Sequence, residues 1–194
     1  ASYSFYPGKN LGAMGDAGAI TTNDIELANG MKRFARHGGL TKGEHIIEGI
    51  NSRMDGLQAA ILNVKLPHLE GWNKLRQDHA KTYLTNLNSI SGIRLPYIEP
   101  YADHVWHLFV IKSKSRDRLK SFLDSKGISS SINYPIALPF LEAYSRYSFV
   151  PSDFPNAYMN QSQILSLPLF PEMTEDQKHC VIKSMIEFCT TISS

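Results

Sequence analysis

The sequence predicts an α/β fold, and three observations carry that expectation. Helix-like and strand-like apolar periodicities alternate along the chain, the apolar runs are short and bounded by glycine, proline or capping residues, and no repeat or low-complexity segment interrupts them. The 194 residues are 42% apolar, enough for one domain or part of a larger protein, and for a substantial core.

Residues 1–5 read as a short strand that needs neighbours to pair with. Pro7, Gly8, Gly12 and Gly15 then shape a loop that presents Lys9 instead of continuing a helix or strand. Residues 19–22 read as a second strand. Asn23 is placed to cap a helix to about residue 36, with Glu26 at the capping-box position, and His37-Gly38-Gly39 stops it. Residues 38–50 form a polar, glycine-containing loop with freedom to reach across a subunit boundary. Leu57, Ile61 and Val64 recur at helical spacing from about residue 54, and Pro67 marks a break. A longer helix over residues 69–87 carries Leu69, Trp72, Leu75, His79 and Tyr83 on overlapping faces, a stripe that reads as core and not as a cofactor box. Beyond Gly92, apolar runs at 93–95 and 105–111 alternate with helices near 115–126 and 174–190, the pattern of a small two-layer α/β domain. In the last helix Thr174 and Gln177 have capping-box spacing, and Val181, Ile182, Met185, Ile186 and Cys189 form the apolar face. The domain boundary falls near residue 88, giving regions 1–88 and 89–194.

Composition excludes several classes. A net charge of +2 gives no reason to expect nucleic acid or an acidic membrane as partner. Lys32, Arg33 and Arg36 follow Glu26 at helical spacing and read as a solvated face. No run approaches the roughly 20 apolar residues of a membrane span and no signal peptide is visible, so a soluble, cytoplasmic protein is expected. Cys180 and Cys189 share one predicted helix at about 13 Å axial separation, too far for a disulfide. No Cys or His pair has zinc spacing, since His104 and His107 on a strand would point to opposite faces, and no metal is expected.

Lys9 is the most informative residue. In a Gly/Pro loop a lysine is ordinarily a solvated charge; it becomes a nucleophile or imine former where burial or a nearby cation lowers its pKa. A phosphate-binding P-loop is excluded, because no Gly-Lys-Ser/Thr follows a glycine at the required spacing.

The run around it, Ser4-Phe5, Lys9, Gly15-Asp16-Ala17-Gly18 and Thr22-Asn23-Asp24, resembles the lysine segment of the DegT/DnrJ/EryC1/StrS family of pyridoxal-phosphate sugar aminotransferases. Ala17 stands where the family usually has glycine. The resemblance continues through Gly49-Ile50-Asn51-Ser52-Arg53-Met54-Asp55, Leu57-Gln58-Ala59-Ala60, Val105-Trp106-His107-Leu108-Phe109-Val110, Tyr134-Pro135 and Leu165-Ser166-Leu167-Pro168-Leu169-Phe170-Pro171. Family members are roughly twice as long, so the resemblance covers their C-terminal half. It implies the C-terminal part of the large cofactor domain of a fold type I aminotransferase, followed by a small α/β domain. The half outside the resemblance supplies the aromatic residue stacked on the pyridine ring, the aspartate on its nitrogen and part of the phosphate cup.

The resemblance also implies roles. Lys9 would anchor pyridoxal phosphate covalently and, once freed, carry the proton between the donor Cα and the cofactor carbon. Ser4 would donate a hydrogen bond to the cofactor phosphate, and Asn51 would reach the phosphate bound by the other subunit of a homodimer. Arg53 would shape the same pocket or bind an acidic group, or else brace the loop. Tyr134 and Asn133 correspond to a sugar-contacting segment, with Asn133 in place of the usual histidine and Ala137-Leu138-Pro139 in place of Pro-Leu-His. Asparagine can donate and accept hydrogen bonds there but cannot titrate near neutral pH. His107 in the central strand reads as structural. The wording of residues 6–16 resembles the subgroup that aminates C3 of dTDP-linked 3-keto-6-deoxyhexoses, with glutamate as donor. Sugar dehydratases related to the family replace the lysine with histidine, so Lys9 argues against that activity. A truncated, non-catalytic piece that folds or dimerises without holding pyridoxal phosphate is the alternative.

Overall fold

The structure, a computed structural model, describes residues 1–192 and divides into two compact units, residues 1–71 and the residues from Trp72 onward.

In the first unit, β1 (Ser2–Ser4) and β2 (Gly18–Ile20) pair antiparallel with Tyr3 opposite Ala19. Phe5 N–H donates to Ala17 O at 2.9 Å and Ala13 N–H to Phe5 O at 2.8 Å, so the segment bearing Lys9 closes on the base of the pair. Helix α1 (Ile25–Phe34) is capped by Asp24, whose Oδ1 accepts from Leu27 N–H at 3.0 Å, and not by Asn23. Asp24 holds extended backbone and sets a full negative charge against the helix's positive end, while Thr22 Oγ1 accepts from Asp24 N–H. The helix stops at Phe34 because the next residues turn to meet the far end of the following loop: Ile50 N–H donates to Phe34 O and Ser52 N–H to Ala35 O. That loop is closed at its base and exposed at its tip, residues 40–48. Gly38, at φ +86°, permits the closure, since a Cβ there would sit 1.6 Å from Ile47 O.

Helix α2 (Gly56–Lys65) runs into a 3₁₀ turn, Leu66–His68, around Pro67. Its inward positions are Leu62, buried, with Gln58, Ile61 and Lys65 half-buried; Leu57 and Val64 face solvent. Among described residues the first unit buries only two apolar side chains fully, Ala13 and Leu62, and α1 buries none.

Helix α3 (Leu69–Leu87) begins in the last residues of the first unit and continues through the second. Its buried residues are Arg76, His79, Ala80, Tyr83 and Leu87; Leu75, expected in the apolar stripe, is exposed. The inward face is therefore rotated by about one residue from the simplest reading of the apolar spacing.

The second unit is a three-stranded antiparallel sheet, β3 (Ile93–Arg94), β4 (Phe109–Ser113) and β5 (Ile164–Leu167), with β4 in the centre. Phe109 pairs with Leu167 and Ile111 with Leu165, so one sheet face is apolar. Against it pack Ala80, Tyr83 and Leu87 of α3, Leu119 and Leu123 of α4 (Arg116–Ser125), and Val181, Ile182, Met185 and Phe188 of α6 (Glu175–Ile192). The Tyr83 and Phe109 rings meet at 5.1 Å. The predicted capping box opens α6: Gln177 N–H donates to Thr174 Oγ1 at 3.2 Å and Thr174 N–H to Gln177 Oε1 at 2.9 Å. Ile186, expected on its buried face, is exposed.

Strand β4 begins at Phe109, not at 105. Trp106 takes a left-handed φ of +46°, its N–H donates to His104 Nδ1 at 2.9 Å, and Arg76 Nη1 donates to Trp106 O and His107 O. His107 thus lies in the turn before the central strand. Helix α5 (Pro155–Gln161) and strand β5 extend the sequence reading, which left residues 155–167 without an element. Cys180 is exposed and Cys189 buried, and neither forms a disulfide.

Candidate active site

The lysine loop is folded back on itself. Lys9 N–H donates to Tyr6 O at 2.8 Å, and a Cβ on Gly12 would fall 2.2 Å from Pro7 O, so only glycine fits that close approach. Lys9 is half-buried rather than a fully solvated charge. From the α2 side, Gln58 and Lys65 hydrogen-bond the loop backbone at Met14 and Gly12. Gln58 lies in the family-like run Leu57-Gln58-Ala59-Ala60 but carries no role in the sequence reading, and Lys65 is not part of it; their separation of two helical turns, which puts both on one face, is the available signal.

Ser4 ends β1, exposed, with Oγ accepting from Tyr6 N–H at 3.4 Å, which leaves the hydroxyl hydrogen to donate elsewhere. Asn51 bridges to Arg36 through the backbone, and its side-chain Oδ1 accepts from Arg53 Nε at 3.2 Å. With its oxygen engaged, the Asn51 amide presents its NH₂. Asn51 and Arg53 line a cleft of about 1090 Å³ between the β1–β2 pair and α1, with Asp16 and Lys32 also on its wall. Ser4 and Lys9 do not line that cleft. The donor set of the first unit, a primary amine, a hydroxyl and an amide NH₂, fits an aldehyde cofactor bearing a phosphate: the amine could condense with the aldehyde and the neutral donors could bind phosphate oxygens.

Tyr134 and Asn133 belong to the second unit. Tyr134 is 71% exposed and borders a pocket of about 590 Å³ whose walls include Ile136, Leu138, Leu141 and Ile164. Asn133 is tied to the sheet: its Oδ1 accepts from Ser166 Oγ at 2.9 Å, and the neighbouring Ser131 bridges Ser166 through the backbone.

Residues 1–186 match the DegT/DnrJ/EryC1/StrS aminotransferase family. The chain belongs to this family. A dTDP-3-amino-3,4,6-trideoxy-α-D-glucose transaminase of Streptomyces venezuelae is 40% identical over 99% of the chain and 51% of its own length. Among solved structures, S. venezuelae DesV in complex with a ketimine intermediate superposes with a TM-score of 0.92 at 40% identity, over 97% of this chain and 51% of that one. Bacillus subtilis NtdA with bound cofactor PMP does so with a TM-score of 0.85 at 32% identity, over 97% and 45% respectively. The chain therefore spans about half the length of these family members, and its fold is that of the corresponding half of a pyridoxal-phosphate aminotransferase. No helix among the described residues is long and apolar enough to cross a membrane, and no cluster of metal-binding side chains occurs among them.

Proposed function

We propose that this chain is the lysine-bearing part of an aminotransferase that moves the amino group of glutamate to a nucleotide-linked ketosugar. The acceptor position is C3 of a dTDP-linked 3-keto-6-deoxyhexose, and the working form is a homodimer. The observation that carries the reading is Lys9: the family's lysine position holds an amine, half-buried on a loop pinned from two sides, where dehydratase relatives have histidine. The S. venezuelae transaminase, named for a 3-amino dTDP-sugar, supports the choice of C3.

Bound pyridoxal phosphate supplies an electron sink that makes the donor Cα–H acidic. The chain's own residues supply the rest. Lys9 would hold the cofactor through Nζ, and the same nitrogen would accept and return the proton. Ser4 would donate through Oγ–H and Asn51 through Nδ2–H to phosphate oxygens, Asn51 toward the site of the partner subunit, without burying a charge. Arg53 fixes the orientation of Asn51. Tyr134 supplies an exposed ring and hydroxyl to the sugar, and Asn133, held by Ser166, shapes that segment.

The test is amination by the protein that carries this sequence. Supplied with pyridoxal phosphate, glutamate and a dTDP-linked 3-keto-6-deoxyhexose, it forms 2-oxoglutarate and the 3-amino sugar one for one, and Lys9→Ala forms neither. A folded wild type that makes no product overturns the reading. The alternative, a non-catalytic piece that folds without holding cofactor, is favoured by one observation, the small core of the first unit, and would appear as that negative result.

A further inference from the structure

Two side chains on one face of α2 hydrogen-bond the backbone of the lysine loop. Gln58 Oε1 accepts from Met14 N–H at 2.9 Å, and the same carboxamide lies against Gly15, where a Cβ would come within 2.8 Å of Nε2. Two turns on, Lys65 Nζ donates to Gly12 O across 53 residues of sequence. One side chain thus satisfies a loop donor and the other a loop acceptor. They bracket Ala13, which is 2% exposed, and Leu62 lies between them on the helix, 7% exposed. The loop's own internal bonds, Lys9 N–H to Tyr6 O and Ala13 N–H to Phe5 O, fix its shape, whereas the α2 bonds fix where that shape sits.

We infer that Gln58 and Lys65 are positioning residues: together they clamp the Gly12–Gly15 backbone to α2 and thereby set the place and burial of the Lys9 amine. Lys65 acts here as a hydrogen-bond donor to a peptide carbonyl, not as a second amine for the chemistry. The inference rests on Lys9 being the cofactor anchor, but the clamp itself is a property of the chain's own backbone. A loop held at one end only would still form its turn, yet would let the amine swing into solvent. Such an amine would react more readily with a small indiscriminate aldehyde and less readily with the phosphate-bearing one that must be oriented.

The experiment uses the full chain as wild type, Gln58→Leu, Lys65→Met and the conservative pair Gln58→Glu and Lys65→Arg, which keep an acceptor and a donor. Three readouts are taken: amide hydrogen exchange of residues 9–15, reductive methylation of Lys9 by formaldehyde, and trapping of Lys9 by pyridoxal phosphate and borohydride. Core amides of the second unit serve as the folding control. Loss of either bond raises loop exchange about fivefold to tenfold. It raises Lys9 methylation toward that of exposed Lys81 and slows pyridoxal-phosphate trapping severalfold, while the conservative variants restore all three. Unchanged loop exchange in both disruptive variants overturns the clamp. Faster exchange with unchanged Lys9 methylation overturns the positioning role. Absence of a wild-type pyridoxal adduct overturns the functional reading alone, because exchange and methylation still decide the clamp.

Discussion

Arg53 Nε donates to Asn51 Oδ1 at 3.2 Å, and this bond engages the oxygen end of the Asn51 amide. Arg53 therefore acts on its neighbour before it acts on any ligand. An Arg53→Leu protein is expected to bind pyridoxal phosphate about fivefold more weakly, the worth of one orienting hydrogen bond, with its fold unchanged. Asn51→Asp weakens binding further, because a carboxylate repels phosphate. Absorbance titration with cofactor measures both, and equal affinity in all three proteins would remove Asn51 from the site.

Arg76 is buried at the junction of three segments of the second unit. Its Nη1 donates to Trp106 O at 3.2 Å, His107 O at 3.3 Å and Leu169 O at 2.9 Å, tying α3 to the turn before β4 and to the chain after β5. Burial lowers its pKa, partly offset by Glu172. Arg76→Ala leaves those carbonyls short of a donor and is expected to cost about 3 kcal/mol in denaturant unfolding. Arg76→Lys recovers part of this, since the three carbonyls surround the single Nη1 nitrogen and an ammonium on a shorter side chain reaches only some of them.

Tyr83 gives a pH dependence whose sign follows from burial. Its hydroxyl donates to Pro168 O at 2.9 Å, and burial pushes its phenol well above the ordinary value of 10.0. The raised folded value means that its stabilisation is complete below the unfolded phenol's range and is lost as pH rises above it. Stability of the second unit should fall by up to about 1.4 kcal/mol per pH unit above roughly pH 10. Tyr83→Phe removes this component of the slope, at a cost of about 1 kcal/mol at neutral pH. Urea unfolding between pH 8 and pH 11 separates the two.

The two units differ in how much they bury. The second has a continuous core running from Ala80 to Cys189, whereas the first fully buries only Ala13 and Leu62 among described residues and leaves Ile25, Leu27 and Phe34 of α1 exposed. Amides of α1 are therefore expected to exchange orders of magnitude faster than those of β4 and α6. Equal protection in the isolated chain would mean that the first unit is stabilised by something other than its own apolar contacts.

What was legible in the sequence follows a physical divide. The Thr174–Gln177 box and the limits of α3 were readable because capping and periodicity are local. Asn23 and Asp24 are both competent caps, and the choice fell to the carboxylate through the hydrogen bond from Asp24 N–H to Thr22 Oγ1. The late start of β4 was not readable, because the turn at Trp106 depends on Arg76, thirty residues away. Strand β5 was overlooked although Leu165 and Leu167 alternate with Ser166, a short pattern that becomes a strand only beside β4. In the site, Lys9, Ser4 and Asn51 came from the family resemblance. Gln58 and Lys65 needed the folded loop, since nothing in a helix sequence states which backbone lies beside it.

The most direct measurement is mass spectrometry of the chain after pyridoxal phosphate and borohydride, with Lys9→Ala as control. A single phosphopyridoxyl group on Lys9, absent from the variant, is the expected result. No adduct, or adducts scattered over exposed lysines such as Lys74 and Lys81 with Lys9 unmodified, would contradict Lys9 as the anchor.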